Sequence, residues 1–456
     1  MTWLLSVFTF LQILSIVQLN ILFITVIILN IFLILNKFVN VIYLLPFAII
    51  LSPIFGSISF FNLNFLFSDF LLIFSIIVLL FIKNRTLIKS KNIFYFFLIL
   101  FVHFYLHYAL GDLISLKPII SIIQIFIVYC LSISCLSDFK INRFLTTTII
   151  AVFIGSLLMF GAFYLGINLN DFQGNASNLT VNAKEFDVTD YRMTFFYTTF
   201  PFLISISIFI LLYKLKEVSN KLIKIGIFIG IILLCLFLIA SGNKTSMVSV
   251  IVVFIISMIY YNRSFFSYLK KISFVIFTFF ILTSLLFNYY LNDLNTERFI
   301  FRMLSFDSLE DRFGVYLNAW YVFIQNPLYM IIGYGPDFLT CCGEQTLAES
   351  FKYNYYTKDL QGAVDSGIIT FLIEFGLIIS IVIIYFLINT LMRLIRNSQN
   401  INILLVQIIL LLIISGTTQV IGLSKISWFF VIIFAISRNL NNVLSIKYIK
   451  KNVNIL

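Results

Sequence analysis

The chain has 456 residues, of which 61% are hydrophobic and 11% charged, with a mean hydropathy of +1.08. Soluble domains carry about 25% charged residues, so this composition excludes a water-soluble protein and makes length a measure of membrane spans. The net charge of +11 does not point to nucleic acid, because the Lys and Arg lie in short loops between apolar runs.

About 20 apolar residues cross the hydrocarbon core as a helix. Runs of this kind predict helices near 3–17, 19–36, 41–56, 65–83, 93–110, 117–136 and 143–165. They continue near 196–213, 222–240, 245–261, 271–290, 367–389, 401–416 and 420–438. No basic segment precedes the first run and no small-residue cleavage site follows it, so the N-terminus reads as a retained span. Only Gln18 and Asn20 separate the first two runs, which leaves one long helix or a tight hairpin. The expected fold class is therefore an all-α polytopic integral membrane protein of 12–14 transmembrane helices, with residues 1–456 as one membrane domain.

Orientation follows from charge. With fourteen spans, one set of loops holds 20 of the 30 Lys and Arg, including Lys83, Arg85, Lys214, Lys216, Arg263, Arg393 and Lys447. The only acids on that side are Asp138 and Glu217. This side, which includes both termini, is predicted cytoplasmic. Two segments on the other side are longer than ordinary connections, near 166–195 and 291–366. Loops of such length are usually functional or disordered.

The five cysteines show no metal-ligand spacing, and neither metal nor cofactor is expected. The adjacent Cys341 and Cys342 are read without a functional disulfide. His103 and His107 lie one helical turn apart. They read either as a proton or ligand pair or, as is commoner, as two histidines meeting polar neighbours within the membrane. Glu374 falls inside a predicted span, where a carboxylate is costly. It either lines a cavity or pairs with a base such as Lys425.

The second loop has a pattern of its own. From Leu309 to Phe323, Arg312, Tyr316, Ala319 or Trp320, and Phe323 recur at helical spacing. Asn326-Pro327 stops that helix. Gly333-Tyr334-Gly335-Pro336 predicts a bend where backbone approaches a ligand closely. Arg298 and Arg302 lie just upstream. Arginine's planar fork suits phosphate, so the three arginines either hold a pyrophosphate or pair with Glu297, Asp307, Glu310 and Asp311.

Arg312, Ala319-Trp320, Asn326-Pro327 and Gly333-x-Gly335 resemble the "R…W…A…P…G.G" signature of the O-antigen polymerase and ligase superfamily (the Wzy and WaaL types). "ASGNKTS", Ala240 to Ser246, resembles the family's "tgSR(t/a)" turn, with Lys244 where Arg is common. "DYRMTFFYTTFPF", Asp190 to Phe202, resembles the Arg-bearing end of the first large loop. "AVDSGIITFLIEFGLI", Ala363 to Ile378, is similar to the "HN…L…E.G" start of the following span. Ligases carry His at the "HN" position, where this chain has Asp365-Ser366; that departure tilts the reading toward polymerase.

The resemblance implies a multi-pass bacterial inner-membrane glycosyltransferase of GT-C-like architecture, with periplasmic large loops. The implied donor is a glycan on undecaprenyl pyrophosphate, and the acceptor a new repeat unit on its own undecaprenyl pyrophosphate. Implied partners are these lipid-linked units, membrane lipids and a chain-length regulator. Arg192, Arg312, Arg302 and Arg298, with Lys244, would meet the departing pyrophosphate. Asp365 is expected either as a base or as a helix N-cap. Tyr191, Trp320 and Tyr334 would stack on sugars or anchor at the interface, and Gly333 and Gly335 would shape the wall. The rivals are an O-antigen ligase, transferring glycan to lipid A–core, and a lipid-linked oligosaccharide flippase. Flippase-like transporters usually show paired halves and short loops, unlike this chain.

Overall fold

In the computed structural model the described residues are 33–34, 36–37, 39–51, 57–60, 63–81, 91–109, 116–135, 140–164, 200–241, 243–260, 320, 323–324, 326–335, 367–396, 400–416 and 427–437. The expected spans near 3–17 and 271–290 lie outside them, as do the first large loop and all of the span near 19–36 except residues 33–34 and 36.

Each expected span between 41 and 261, and between 367 and 438, contains a helix. In chain order these are α1 (Asn40–Leu51), α2 (Phe67–Phe81), α3 (Lys91–Ala109), α4 (Leu116–Ser134), α5 (Ile141–Tyr164), α6 (Phe200–Glu217), α7 (Lys221–Ala240) and α8 (Lys244–Tyr260). A short α9 (Pro327–Ile332) precedes α10 (Gly367–Arg396), α11 (Asn400–Gly416) and α12 (Ser427–Ser437). Three of the described helices are long and apolar enough to cross a membrane: Ile141–Leu158, Lys221–Ile239 and Gly367–Arg396. Together with the shorter apolar helices they make a polytopic membrane protein.

The all-helical expectation needs one correction. Residues 57–66 include a two-stranded antiparallel hairpin, β1 (Ser57–Phe60) with β2 (Leu63–Leu66), in register Ser57 opposite Leu66 and Phe60 opposite Leu63. The sequence SISF alternates with period two, the strand repeat, whereas a helix needs period 3.6. Within the run expected as a helix over 41–56, the described helix is Asn40–Leu51.

Two helices form the centre. In α6 every residue from Phe200 to Leu211 is buried, and α1 is buried along Val41–Ile50. A helix apolar all round must be surrounded by others or by lipid; these two are surrounded by helices. α1 packs on α5 and α2, while α6 contacts α5, α7, α8 and α11. Ring pairs lock the layers, with Phe144 5.6 Å from Phe429 and Phe202 5.4 Å from Phe430. Lipid is as apolar as these rings, so dispersion and close fit, rather than escape from water, hold the helices together. A smaller cluster joins α3, α4, α10 and α12 through Leu100, Ile122, Tyr129, Phe375, Ile379 and Ala435.

Hydroxyls in such a bundle need partners close by. Ser75, Ser132, Ser257 and Thr148 each donate to the carbonyl four residues back, at 2.6–2.9 Å. Their own helices therefore satisfy them. Contacts between helices are fewer among the described residues, and several of them fall near helix ends. Lys214 Nζ donates to Thr146 Oγ1 at 2.8 Å, Lys216 Nζ to Asn400 Oδ1 at 2.7 Å, and the Lys140 N–H to the Tyr43 hydroxyl at 2.7 Å. Toward the other ends, Gln124 Nε2 donates to Asp69 Oδ1 at 2.9 Å and Ser205 Oγ to the Ser246 carbonyl at 3.4 Å. The three contacts from Lys214, Lys216 and Lys140 join helix ends that the charge pattern assigns to the same membrane side.

Gly155 sets one of the closest approaches. A Cβ there would fall 2.7 Å from Ile50 Cγ2 and 3.0 Å from Phe200 Cζ. Gly155→Val is expected to separate α1, α5 and α6 and to cost about 1–3 kcal/mol. The check is thermal unfolding in detergent, and an unchanged melting temperature would refute this packing.

Candidate functional site

The described part of the second large loop is residues 320, 323–324 and 326–335. Asn326 has extended backbone (φ −114, ψ 106), and its side chain accepts from the Leu328 N–H at 3.1 Å. It is thus an N-cap, with Pro327 in the first helical position, where a missing N–H costs nothing. Asn-Pro therefore opens a new helix, α9, as well as bounding the expected one before it. Six residues later Gly333 ends α9 at φ 84, its N–H donating to the Tyr329 carbonyl at 2.6 Å.

The next two N–H groups leave the loop. Tyr334 donates to the Ile373 carbonyl at 2.8 Å, and Gly335 donates to the Glu374 carbonyl at 3.0 Å. Both carbonyls belong to α10. They are available because α10 is broken at Gly376 (φ 69, ψ 180), where the chain leaves helical geometry and then resumes it. Carbonyls just before a break lose their partners four residues on, and in a membrane such groups must be satisfied within the protein. The loop supplies the missing donors.

The fit requires glycine on both sides. A Cβ on Gly333 would lie 2.6 Å from the Glu374 carbonyl carbon and 2.6 Å from the Gly376 nitrogen. A Cβ on Gly376 would lie 2.5 Å from the Ile332 carbonyl carbon. These neighbours are backbone and cannot swing away. Both residues also have positive φ, which side chains disfavour. The bend was expected to bring backbone close to a ligand; the close approach observed is to the backbone of α10.

α3 completes the junction. His103 and His107 are buried, and their rings meet edge-on at 4.6 Å. His103 Nε2 lies 3.3 Å from the Glu374 carbonyl oxygen, the same oxygen that accepts from Gly335. Gly335 sits against His107, where an added Cβ would fall 3.3 Å from the ring's Cγ. Tyr329 stacks on Tyr334 at 4.5 Å and lies parallel to His107 at 6.4 Å. Burial, reinforced by Tyr329, raises the Tyr334 phenol above its ordinary pKa, so it stays protonated. His103 thus meets polar backbone, in line with the commoner of the two readings of the spacing. Glu374 is itself buried, while Lys425, its suggested partner, lies outside the described residues.

The other expected site residues divide plainly. Trp320 is about half exposed, with its ring 5.6 Å from Phe323, which is buried. Lys244 is the first residue of α8. The preceding turn is built by Asn243, whose side chain accepts from the Ser246 N–H at 2.9 Å, and by Ser241, whose hydroxyl donates to the Leu238 carbonyl at 2.6 Å. Arg192, Tyr191, Arg298, Arg302, Arg312 and Asp365 lie outside the described residues. The structure therefore brings together Gly333, Tyr334 and Gly335 with His103 and His107, one reading of which is a proton or ligand pair, and adds Gly376, which carries no expected role.

Gly376→Ala is expected to expel α9 from α10. Left-handed backbone alone costs a side-chain-bearing residue about 1–3 kcal/mol, and the clash adds to it. Thermal unfolding together with protease cleavage near 327–335 would register both effects. Gly226→Ala on α7, where an added Cβ meets nothing within 4 Å, should leave melting unchanged or raise it slightly.

Residues 229–384 match a family model described as O-antigen ligase (Wzy_C). The match runs from within α7 through the second loop to the middle of α10, and so includes the whole α9–α10 junction. No curated protein matches the chain. Residues 229–384 are thus similar to the O-antigen ligase family, a match consistent with the O-antigen polymerase and ligase superfamily.

Proposed function

We propose that the protein is a surface-polysaccharide polymerase of the O-antigen type. It would transfer the growing glycan from undecaprenyl pyrophosphate to a new lipid-linked repeat unit at the periplasmic face of the inner membrane. The observation that carries this reading is the family match over residues 229–384, combined with Asp365-Ser366 where ligases have His. The same match favours a second reading, O-antigen ligase, in which lipid A–core is the acceptor, because that is how the family model is described. We place 12–14 spans of GT-C-like architecture in the membrane, with both termini cytoplasmic and the loops at 166–195 and 291–366 periplasmic.

In the proposed reaction a sugar hydroxyl of the acceptor attacks the anomeric carbon of the donor. The bond from that carbon to the phosphate oxygen breaks, and pyrophosphate leaves with the electron pair. Negative charge grows on the leaving group, so fixed cations bind it more strongly in the transition state than before. Arg312 and Arg192 are assigned that task, with Arg302, Arg298 and Lys244 around them. Asp365 would take the hydroxyl proton. Tyr191, Trp320 and Tyr334 offer faces to sugar rings, while Gly333 and Gly335 hold the wall in place. No cofactor enters, because the anomeric phosphate bond carries the energy. A chain-length regulator is the proposed protein partner.

In a deletion strain, the lipopolysaccharide ladder should collapse to core plus a single repeat. Core with no repeat would instead identify a ligase or flippase. Arg312→Ala should lower polymerisation by about 10²–10³-fold, the range for losing one transition-state donor. A full ladder from Arg312→Ala at normal protein level would remove Arg312 from the site.

A further inference from the structure

We propose that His103 is a positioning residue for the transfer reaction, acting by holding the Glu374 carbonyl and with it the loop that carries Arg312. The inference rests on the polymerase reading for its chemistry, and on the geometry of three separate chain segments for its mechanism.

A carbonyl oxygen only accepts, so the 3.3 Å contact to Glu374 requires the hydrogen to reside on His103 Nε2. That oxygen also takes the Gly335 N–H. One atom of α10 therefore ties together α3 and the second loop, whose contacting residues are 271 positions apart in the chain for the His103 pair. The tie lies at depth. Glu374 is seven residues into α10, roughly 10 Å along a helix from Gly367. Chain from the loop thus reaches down beside the broken helix instead of resting above it. Arg312 is fourteen residues before Asn326, and Asp365 lies two residues before α10 begins. The proposed cation and the proposed base thus each lie N-terminal, along the chain, to one of the two segments that this junction joins. On this proposal a slip of one segment against the other would disturb the reacting groups, and a misplacement of about 1 Å remote from the reacting atoms can cost 10²-fold in rate.

The side chain is specific to this task. Leucine at 103 fills space without a donor. Asparagine has a donor but is too short to place it where Nε2 lies. Glutamine places an amide N–H at comparable reach. His107 extends the hold sterically, since its ring abuts Gly335 and stacks alongside Tyr329.

The test uses full-length protein in lipid nanodiscs, with purified lipid-linked repeat unit, and compares wild type with His103→Leu, His103→Asn and His103→Gln. Hydrogen exchange at the Tyr334 and Gly335 amides should quicken about tenfold or more in the Leu and Asn variants, the factor for one lost buried hydrogen bond. Their kcat should fall about 10²-fold with KM for the repeat unit unchanged. His103→Gln should restore both to near wild type. Exchange in α6 serves as the folding reference and should not move. Unchanged exchange at 334–335 in His103→Leu overturns the proposal, as does faster exchange with unaltered kcat. A rise in KM alone, or equal loss of protection in α6, likewise overturns it. If the wild type makes no polymer, the polymerase reading falls, and the exchange arm still upholds or overturns the hold on the loop.

Discussion

The structure depends on one repair. A helix inside a membrane has no water to satisfy carbonyls released by a break, and α10 is broken at Gly376. The carbonyls of Ile373 and Glu374 take N–H groups from Tyr334 and Gly335, and the Glu374 oxygen also meets His103. A soluble protein can leave such groups to solvent. Here the broken helix needs the loop, and the short α9 needs the broken helix to anchor its C-terminal end. The mutual requirement explains how one stretch of a long polar segment gains a fixed place against the bundle.

Much of the bundle was legible beforehand because the signals are local and one-dimensional. Apolar runs of near-span length located the described helices. The hairpin at 57–66 escaped because four-residue strands lie beneath the resolution of a span-length window. Asn326-Pro327 was read as a stop, although the same pair carries the signature of a helix start, an N-cap followed by proline.

The junction itself was hardly legible, for a physical reason. A glycine within an apolar run, as at Gly376, is compatible with an ordinary helix at a cost of about 1 kcal/mol. Only a partner approaching closely gives it a different meaning, and that partner lies some forty residues away. The histidines posed the same difficulty: their one-turn spacing was visible, but the carbonyl that His103 meets belongs to another helix. Gly333 and Gly335 stand out in the sequence because they crowd together, but nothing local says that α10 is what they approach.

The facing positions 333 and 376 carry a further consequence. In most tight packings an enlargement on one side can be offset by a reduction on the other, giving pairs of residues that trade volume. Here both members are already the smallest amino acid, and the obstruction on each side is main chain. No exchange of volume is open to the pair. Variation at this joint must therefore come as replacement of the entire loop-and-helix unit, so that a chimera swapping 327–335 without the 373–376 region has no single-residue remedy.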